Sequence, residues 1–349
     1  MDDIIQMYFP PGSKLISAES FGTSAWTATS RLSIQLPDGA PKLYFLKCAV
    51  LASGRALVEG KHAAQSELYK TMPDLVLEPY GWSRFQQRQP ETYFFLSEFV
   101  DMKTGDIQRP DAEQLCEKLA KLHRGSISPT GMFGLYTTTY QGHIPQAVSW
   151  ERSWTIFFSK LFRHVLASHA QSNGVWTDLE TLAERALDRV VPRLLNALES
   201  EGRKVKPCLI HGNIWEGNIG TSAETGEIYI FDSAAYYAHN EMELGEWRNN
   251  HNKIHDKVYT RTYLRRFPPS EPVEEWDDRN RLYSVYYNLL CSVINRDQGL
   301  VVRQMAYDDL YCLIDKYTPF ETGTGPQRLV DSERARLSDE RDHTKHPCC

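Results

Sequence analysis

The sequence lacks several features that would assign it to a class directly. No stretch approaches the roughly 18 apolar residues needed to span a bilayer, and the opening Met1-Asp2-Asp3-Ile4-Ile5-Gln6 has neither the basic nor the apolar region of a secretory signal. A cytoplasmic protein without a membrane partner is the expectation. Cysteine is sparse: seven residues are scattered at Cys48, Cys116, Cys208, Cys291, Cys312, Cys348 and Cys349, with no C-x-x-C spacing for zinc or dithiol chemistry. Reduced, mostly buried thiols are expected. The Cys348-Cys349 pair could accept lipid, but no basic cluster lies nearby to reinforce an anchor. Positive charge is also short. With 39 Lys and Arg against 45 Asp and Glu, the net charge is −6, which gives no broad field to hold a polyanion and argues against nucleic acid as a partner. No internal repeat is visible.

What is present is an ordinary globular composition, 349 residues and 41% hydrophobic, enough to bury two sizeable cores. Alternation between residues 14 and 35 predicts a hairpin, and Leu43-Tyr44-Phe45-Leu46-Lys47-Cys48-Ala49 a third strand after the turn at Pro37-Asp38-Gly39. Residues 55–71 read as a helix stopped by Pro73, and residues 92–100 as an almost continuously apolar strand. Beyond residue 103 the period becomes helical, over 111–124, 149–170, 176–201, 242–265 and 276–317. Two short β-like runs interrupt it, at Cys208-Leu209-Ile210-His211 and Ile228-Tyr229-Ile230-Phe231-Asp232. The expected organisation is α+β: a β-rich lobe over 1–101, a mainly helical lobe over 102–320, and a tail over 321–349 too polar to order itself.

The segment Ile210-His211-Gly212-Asn213-Ile214-Trp215-Glu216-Gly217-Asn218, followed by Phe231-Asp232, carries the chemistry. Kinases place an acidic residue in a catalytic loop, an asparagine five positions on, and a metal-binding aspartate beyond the next hairpin. Asn218 and Asp232 satisfy the second and third requirements, as oxygen donors for Mg²⁺, while Asn213 occupies the first. Lys47, at the end of a small-lobe strand, would pair with nucleotide phosphates. Taken singly each residue is unremarkable, since an isolated lysine is normally solvated and an aspartate after a strand is normally a turn residue. Their order and spacing together point to a two-lobed kinase-like fold.

The chain resembles the fructosamine/ribulosamine 3-kinase family, in its fungal branch, from about residue 15 to about 320. Trp26-Thr27-Ala28-Thr29, Phe45-Leu46-Lys47, Leu122-His123, Ser128-Pro129-Thr130-Gly131-Met132-Phe133-Gly134, Trp150-Glu151-Arg152-Ser153-Trp154 and the run from Phe231 to Glu243 carry the resemblance. It implies an aminoglycoside-phosphotransferase-like fold, ATP and Mg²⁺ as cofactors, and a ketosamine hydroxyl as acceptor, free or on a glycated amine. It also implies that Glu98 and Phe99 form the hinge against adenine. The family's loop reads His-Gly-Asp where this chain has His211-Gly212-Asn213, and an amide cannot take up a proton as a carboxylate does. The family's glutamate that holds the strand lysine falls, by the same resemblance, at Lys61, where a cation would repel Lys47. Glu59 and Glu67 are the possible substitutes. Around the acceptor, Trp215, His239 and Glu241 are candidate substrate contacts, with packing as the alternative for Trp215 and a solvated face as the alternative for Glu241, Glu243 and Glu246. His123 is expected to brace the loop. Weakened phosphotransfer, a pseudokinase, and an enzyme turned to other chemistry in the same cleft all remain open at this point.

Overall fold

The structure is a computed structural model that describes residues 3–22, 26–86, 88–104, 108–295 and 299–326. The expected tail lies outside the described residues from 327 onward, as do Cys348 and Cys349. After a one-turn helix α1 (Asp3–Gln6), strands β1 (Lys14–Ser20), β2 (Ala28–Gln35), β3 (Pro41–Val50), β4 (Pro79–Arg84) and β5 (Thr92–Glu98) form one antiparallel sheet, ordered β1-β2-β3-β5-β4. Strand side chains alternate between faces, so Phe94 and Leu96 of β5 join Leu32, Ile34 and Tyr44 in one cluster while Tyr93 and Phe95 face the other way. Helix α2 (Leu51–Thr71) covers that second face, with Leu57 and Val58 against Tyr93 and Phe95. This double coverage makes β5 apolar throughout and explains its legibility. Strand β4 was not anticipated, because Pro79 and Gly81 break the pattern; its register shifts between those two residues.

The remaining elements are mostly helical. Helix α3 (Ala112–Gly125) starts at Asp111, whose side chain accepts from Gln114 N, and α4 (Trp154–Asn173) starts at Ser153, which accepts from Ile156 N. Between them runs a two-residue hairpin, β7 (Tyr140–Gln141) with β8 (Ile144–Pro145). Helices α5 (Thr177–Arg185) and α6 (Val191–Leu195) follow, joined by a π turn. The period read over 242–265 resolves into a 3₁₀ stretch, Asn240–Arg248, and a separate helix α7 (Lys257–Arg266). Asparagines divide them: Asn252 Nδ2 donates to Glu246 O, a local bond that competes with continuing the helix. The long period over 276–317 is likewise two helices, α8 (Trp276–Ile294) and α9 (Gly299–Tyr317), packed on each other. Helix α8 is buried along most of its length, as the centre of the larger core. Among the described residues no helix is long and apolar enough to cross a membrane.

Three short pairings position the functional loops. Strands β6 (Met102–Thr104), β10 (Ile219–Ser222) and β11 (Ile228–Ile230) form a three-stranded sheet, and β9 (Cys208–Ile210) pairs with β12 (Tyr236–Ala238). Residues 211–218 therefore run from β9 to β10, and residues 231–235 from β11 to β12, so that both loops start and end on paired strands. Of the cysteines, Cys116 and Cys208 are buried, Cys48 and Cys291 half-buried and Cys312 exposed.

Candidate active site

A cavity of about 630 Å³ lies where these loops meet the large sheet and α2. Lys47, Glu98, Phe99, Asn213, Trp215, Asn218 and Asp232 all line it, whereas His211, His239 and Glu241 do not. Lys47 sits in β3, facing Thr29 of β2 and Phe95 of β5 in the ladder. Glu98 ends β5, and its side chain accepts from Glu78 N at 3.2 Å. Phe99 stacks edge-on with Phe21 at 4.9 Å between ring centres.

The loop after β9 is anchored from behind by Glu243. Its carboxylate accepts from His211 N at 2.6 Å and Gly212 N at 2.9 Å, and it is fully buried. His123, expected to brace the loop, does so at one remove: its Nε2 lies 3.6 Å from Glu243 Oε2 and its Nδ1 bonds the Tyr263 hydroxyl at 2.7 Å. His211 is fully buried and donates from Nε2 to Phe231 O at 3.0 Å, tying the two loops together. Burial holds its imidazole down at about 4 despite the opposing effect of Glu243, so it is neutral and structural. Gly212 has φ of +76°, and a Cβ there would come within 2.8 Å of Ala234 O. Gly212→Ala is expected to cost ~1–3 kcal/mol of unfolding free energy, read from urea denaturation.

Asn213 uses both ends of its amide. Nδ2 donates to Asp232 O at 3.1 Å, and Oδ1 accepts from Gln141 Nε2 at 3.0 Å. Asn218 Nδ2 in turn donates to Asn213 O at 3.0 Å. Gln141, on the two-residue strand β7, had no sequence signal; only its position beside the loop reveals it.

Asp232 stands at the centre, with φ of +55°, a left-handed conformation that is costly for a non-glycine residue and is seen where surroundings over-determine the backbone. Its Oδ1 is 2.6 Å from Lys47 Nζ and 3.0 Å from Lys61 Nζ. Lys61 also donates to Asp232 O and Ser233 O, at 3.2 and 3.0 Å. Burial would raise the Asp232 pKa, but the two ammonium groups outweigh it and hold the carboxyl well below its usual range. Desolvation pulls Lys61 down to about 8, against the attraction of Asp232. The expected repulsion between Lys47 and Lys61 is thus mediated by a carboxylate they share. Neither proposed substitute holds Lys47: Glu59 lies 4.0 Å from Arg55, and Glu67 pairs with Lys70 at 2.7 Å.

The acidic cluster is not a solvated face. Glu241 forms a buried bidentate pair with Arg279 at 2.8 and 3.1 Å, and His239 is buried between the Tyr283 and Ser270 hydroxyls, both at 2.9 Å. Of this group only Glu246 reaches the cavity, beside Asn249, Asn252 and Tyr287. Its carboxyl is pushed well above the usual range by burial, with Glu243 and Glu216 adding to the effect.

Asn218 and Asp232 were expected to hold Mg²⁺; both line the cavity, but Asp232 Oδ1 is already engaged by two ammonium groups. A Mg²⁺ bound at roughly 2.1 Å to Asp232 Oδ1 would stand at most about 5 Å from Lys61 Nζ, itself 3.0 Å from that oxygen. Asn213 adds no charge to the site.

The fructosamine kinase family matches residues 27–321. The chain is similar to the chloroplastic protein-ribulosamine 3-kinase of Oryza sativa subsp. indica, 31% identical over 198 residues that cover 55% of this chain and 52% of the relative. It is 27% identical to the ketosamine-3-kinase of Mus musculus over 219 residues, covering 57% of this chain and 67% of that one. The chain spans about half the length of the plant relatives it matches. Among solved structures it superposes on a protein described as a fructosamine-3-kinase from Haemophilus somnus 129PT, with a TM-score of 0.70 and 18% identity, covering 90% of this chain and 96% of the other. It also superposes on aminoglycoside phosphotransferase APH(4)-Ia in a complex with AMP-PNP and hygromycin B, with a TM-score of 0.59 and 15% identity, covering 90% and 98%. The fold is accordingly the kinase-like α+β fold, with a β-sheet lobe and a helical lobe.

Proposed function

Because the chain belongs to the fructosamine kinase family, we propose that it binds ATP in this cavity and transfers the γ-phosphoryl group, slowly, to a hydroxyl of a ketosamine or a related small molecule. The observation that carries this reading is a single cavity lined by Lys47, Asn218 and Asp232 together with Glu98 and Phe99. Lys47 pairs with phosphate and Asn218 positions the loop. With an amide at 213 the catalytic-loop position offers the acceptor proton no carboxylate. As the acceptor O–P bond forms and the bond to ADP breaks, the proton passes to a phosphoryl oxygen, a route that a loose transition state permits at reduced rate. Trp215 and Glu246 form the acceptor wall. We place the boundary between the nucleotide-binding and acceptor lobes near residue 101, assign the chain to the family's fungal branch, and locate it in the cytoplasm.

A second reading has its own support. Both ends of the Asn213 amide are engaged, as in a site kept for binding alone, which would make the protein a pseudokinase. Following ATP by ³¹P NMR with and without a fructosyl-lysine analogue separates the two. Slow, acceptor-dependent formation of ADP is expected; silence, with nucleotide binding established separately, leaves the pseudokinase.

A further inference from the structure

The positive charge of this cleft is arranged for an anion and not for a cation. Two ammonium groups converge on one carboxylate oxygen, Lys47 Nζ at 2.6 Å and Lys61 Nζ at 3.0 Å from Asp232 Oδ1, so the triad carries a net positive charge before any ligand enters. Lys61 is a fixture of the fold. Its side chain is 5% exposed and bonds two backbone carbonyls besides the carboxylate, which uses all three of its donors. Lys47 is different: among the described residues its ammonium has one acceptor, Asp232, and it lines the cavity. An ammonium with further donors available, in a partly buried site, is a phosphate ligand.

We propose that Lys61 takes the place of the divalent cation as counter-charge to Asp232, and that the site binds its nucleoside triphosphate as the metal-free polyphosphate through Lys47. The proposal rests on the reading of the cavity as a nucleotide site. In a metal-dependent site the aspartate must be free to ligate, and each cation that ligates it also offsets phosphate charge. Here Asp232 is already neutralised by a group that belongs to the chain, and a divalent ion would have to enter against it. Mg²⁺ added to ATP would then reduce the charge seen by Lys47 without gaining a ligand from the protein.

Calorimetric titration of the full-length chain with ATP, once in EDTA and once with excess Mg²⁺, tests this without relying on turnover. Binding in EDTA at least as tight as with Mg²⁺ is expected, and binding that requires Mg²⁺ would overturn the inference while leaving the nucleotide reading intact. Absence of binding under both conditions by folded protein would overturn the two together. In Lys61→Glu the triad becomes net negative, and metal-free affinity should fall by about 10- to 100-fold and be recovered by Mg²⁺. Metal-free binding as tight as wild type in a folded Lys61→Glu would overturn the assignment of Lys61 as the counter-charge. Should that variant fail to fold, the two titrations of wild type decide alone.

Discussion

Asn213→Asp is expected to raise acceptor-dependent ATP turnover by ~10²-fold or more, toward the ~10²–10⁴ that a positioned general base contributes. The surroundings can accept the change. Gln141 Nε2, now 3.0 Å from Asn213 Oδ1, would still donate to one carboxylate oxygen. What is lost is the bond from Nδ2 to Asp232 O, but Lys61 Nζ already donates to that carbonyl at 3.2 Å. The other carboxylate oxygen, replacing an amide nitrogen that sits 3.1 Å from Asp232 O, would be repelled by that carbonyl and turn toward an acceptor hydroxyl in the same cavity. Coupled-assay rates for wild type and variant, at saturating ATP and a fructosyl-lysine analogue, make the comparison. An unchanged rate with unchanged nucleotide affinity would mean that proton removal does not limit this site.

Glu243→Ala should be the most damaging single change to stability among the residues considered, costing ~3–5 kcal/mol. The carboxylate satisfies two buried backbone N–H groups, on His211 and Gly212, and each orphaned group costs ~1–3 kcal/mol. The cavity left by the side chain adds to this. Gly212→Ala strains the same turn but leaves both bonds in place, so the ordering of the two losses in urea denaturation is itself informative. A loss below ~1 kcal/mol for Glu243→Ala would show that the loop is held by its flanking strands β9 and β10 instead.

The large elements were readable because their patterns are simple. Strand β3 carries Lys47 as anticipated but continues to Val50, and α2 runs to Thr71, two residues before Pro73. Asn213, Asn218 and Asp232, singled out by their spacing, all line one cavity. What escaped the sequence was partnership across distance. Lys61 and Asp232 are 171 residues apart, and no periodicity announces that a buried lysine will share a carboxylate with Lys47. Gln141 lies on a strand of two residues, too short for any pattern. The acidic run from Glu241 to Glu246 reads as solvated because the chain turns there in a 3₁₀ stretch, which aims its successive carboxyls at a buried arginine, a loop backbone and the cavity. A sequence gives the spacing of those charges but not their three destinations.

The carbonyl oxygen of Asp232 has one further consequence. It accepts from Asn213 and from Lys61 at once, so these two positions share a single acceptor. Changes at the two sites will therefore not add, and each sets the background on which the other is judged. An aspartate at 213 is tolerable because a lysine at 61 covers the carbonyl; with glutamate at 61 the same aspartate would leave that oxygen with neither of its present donors. Acidic substitutions at the two positions are thus constrained in order: position 213 can change first on the Lys61 background, whereas changing 61 first removes the group that makes the second step acceptable.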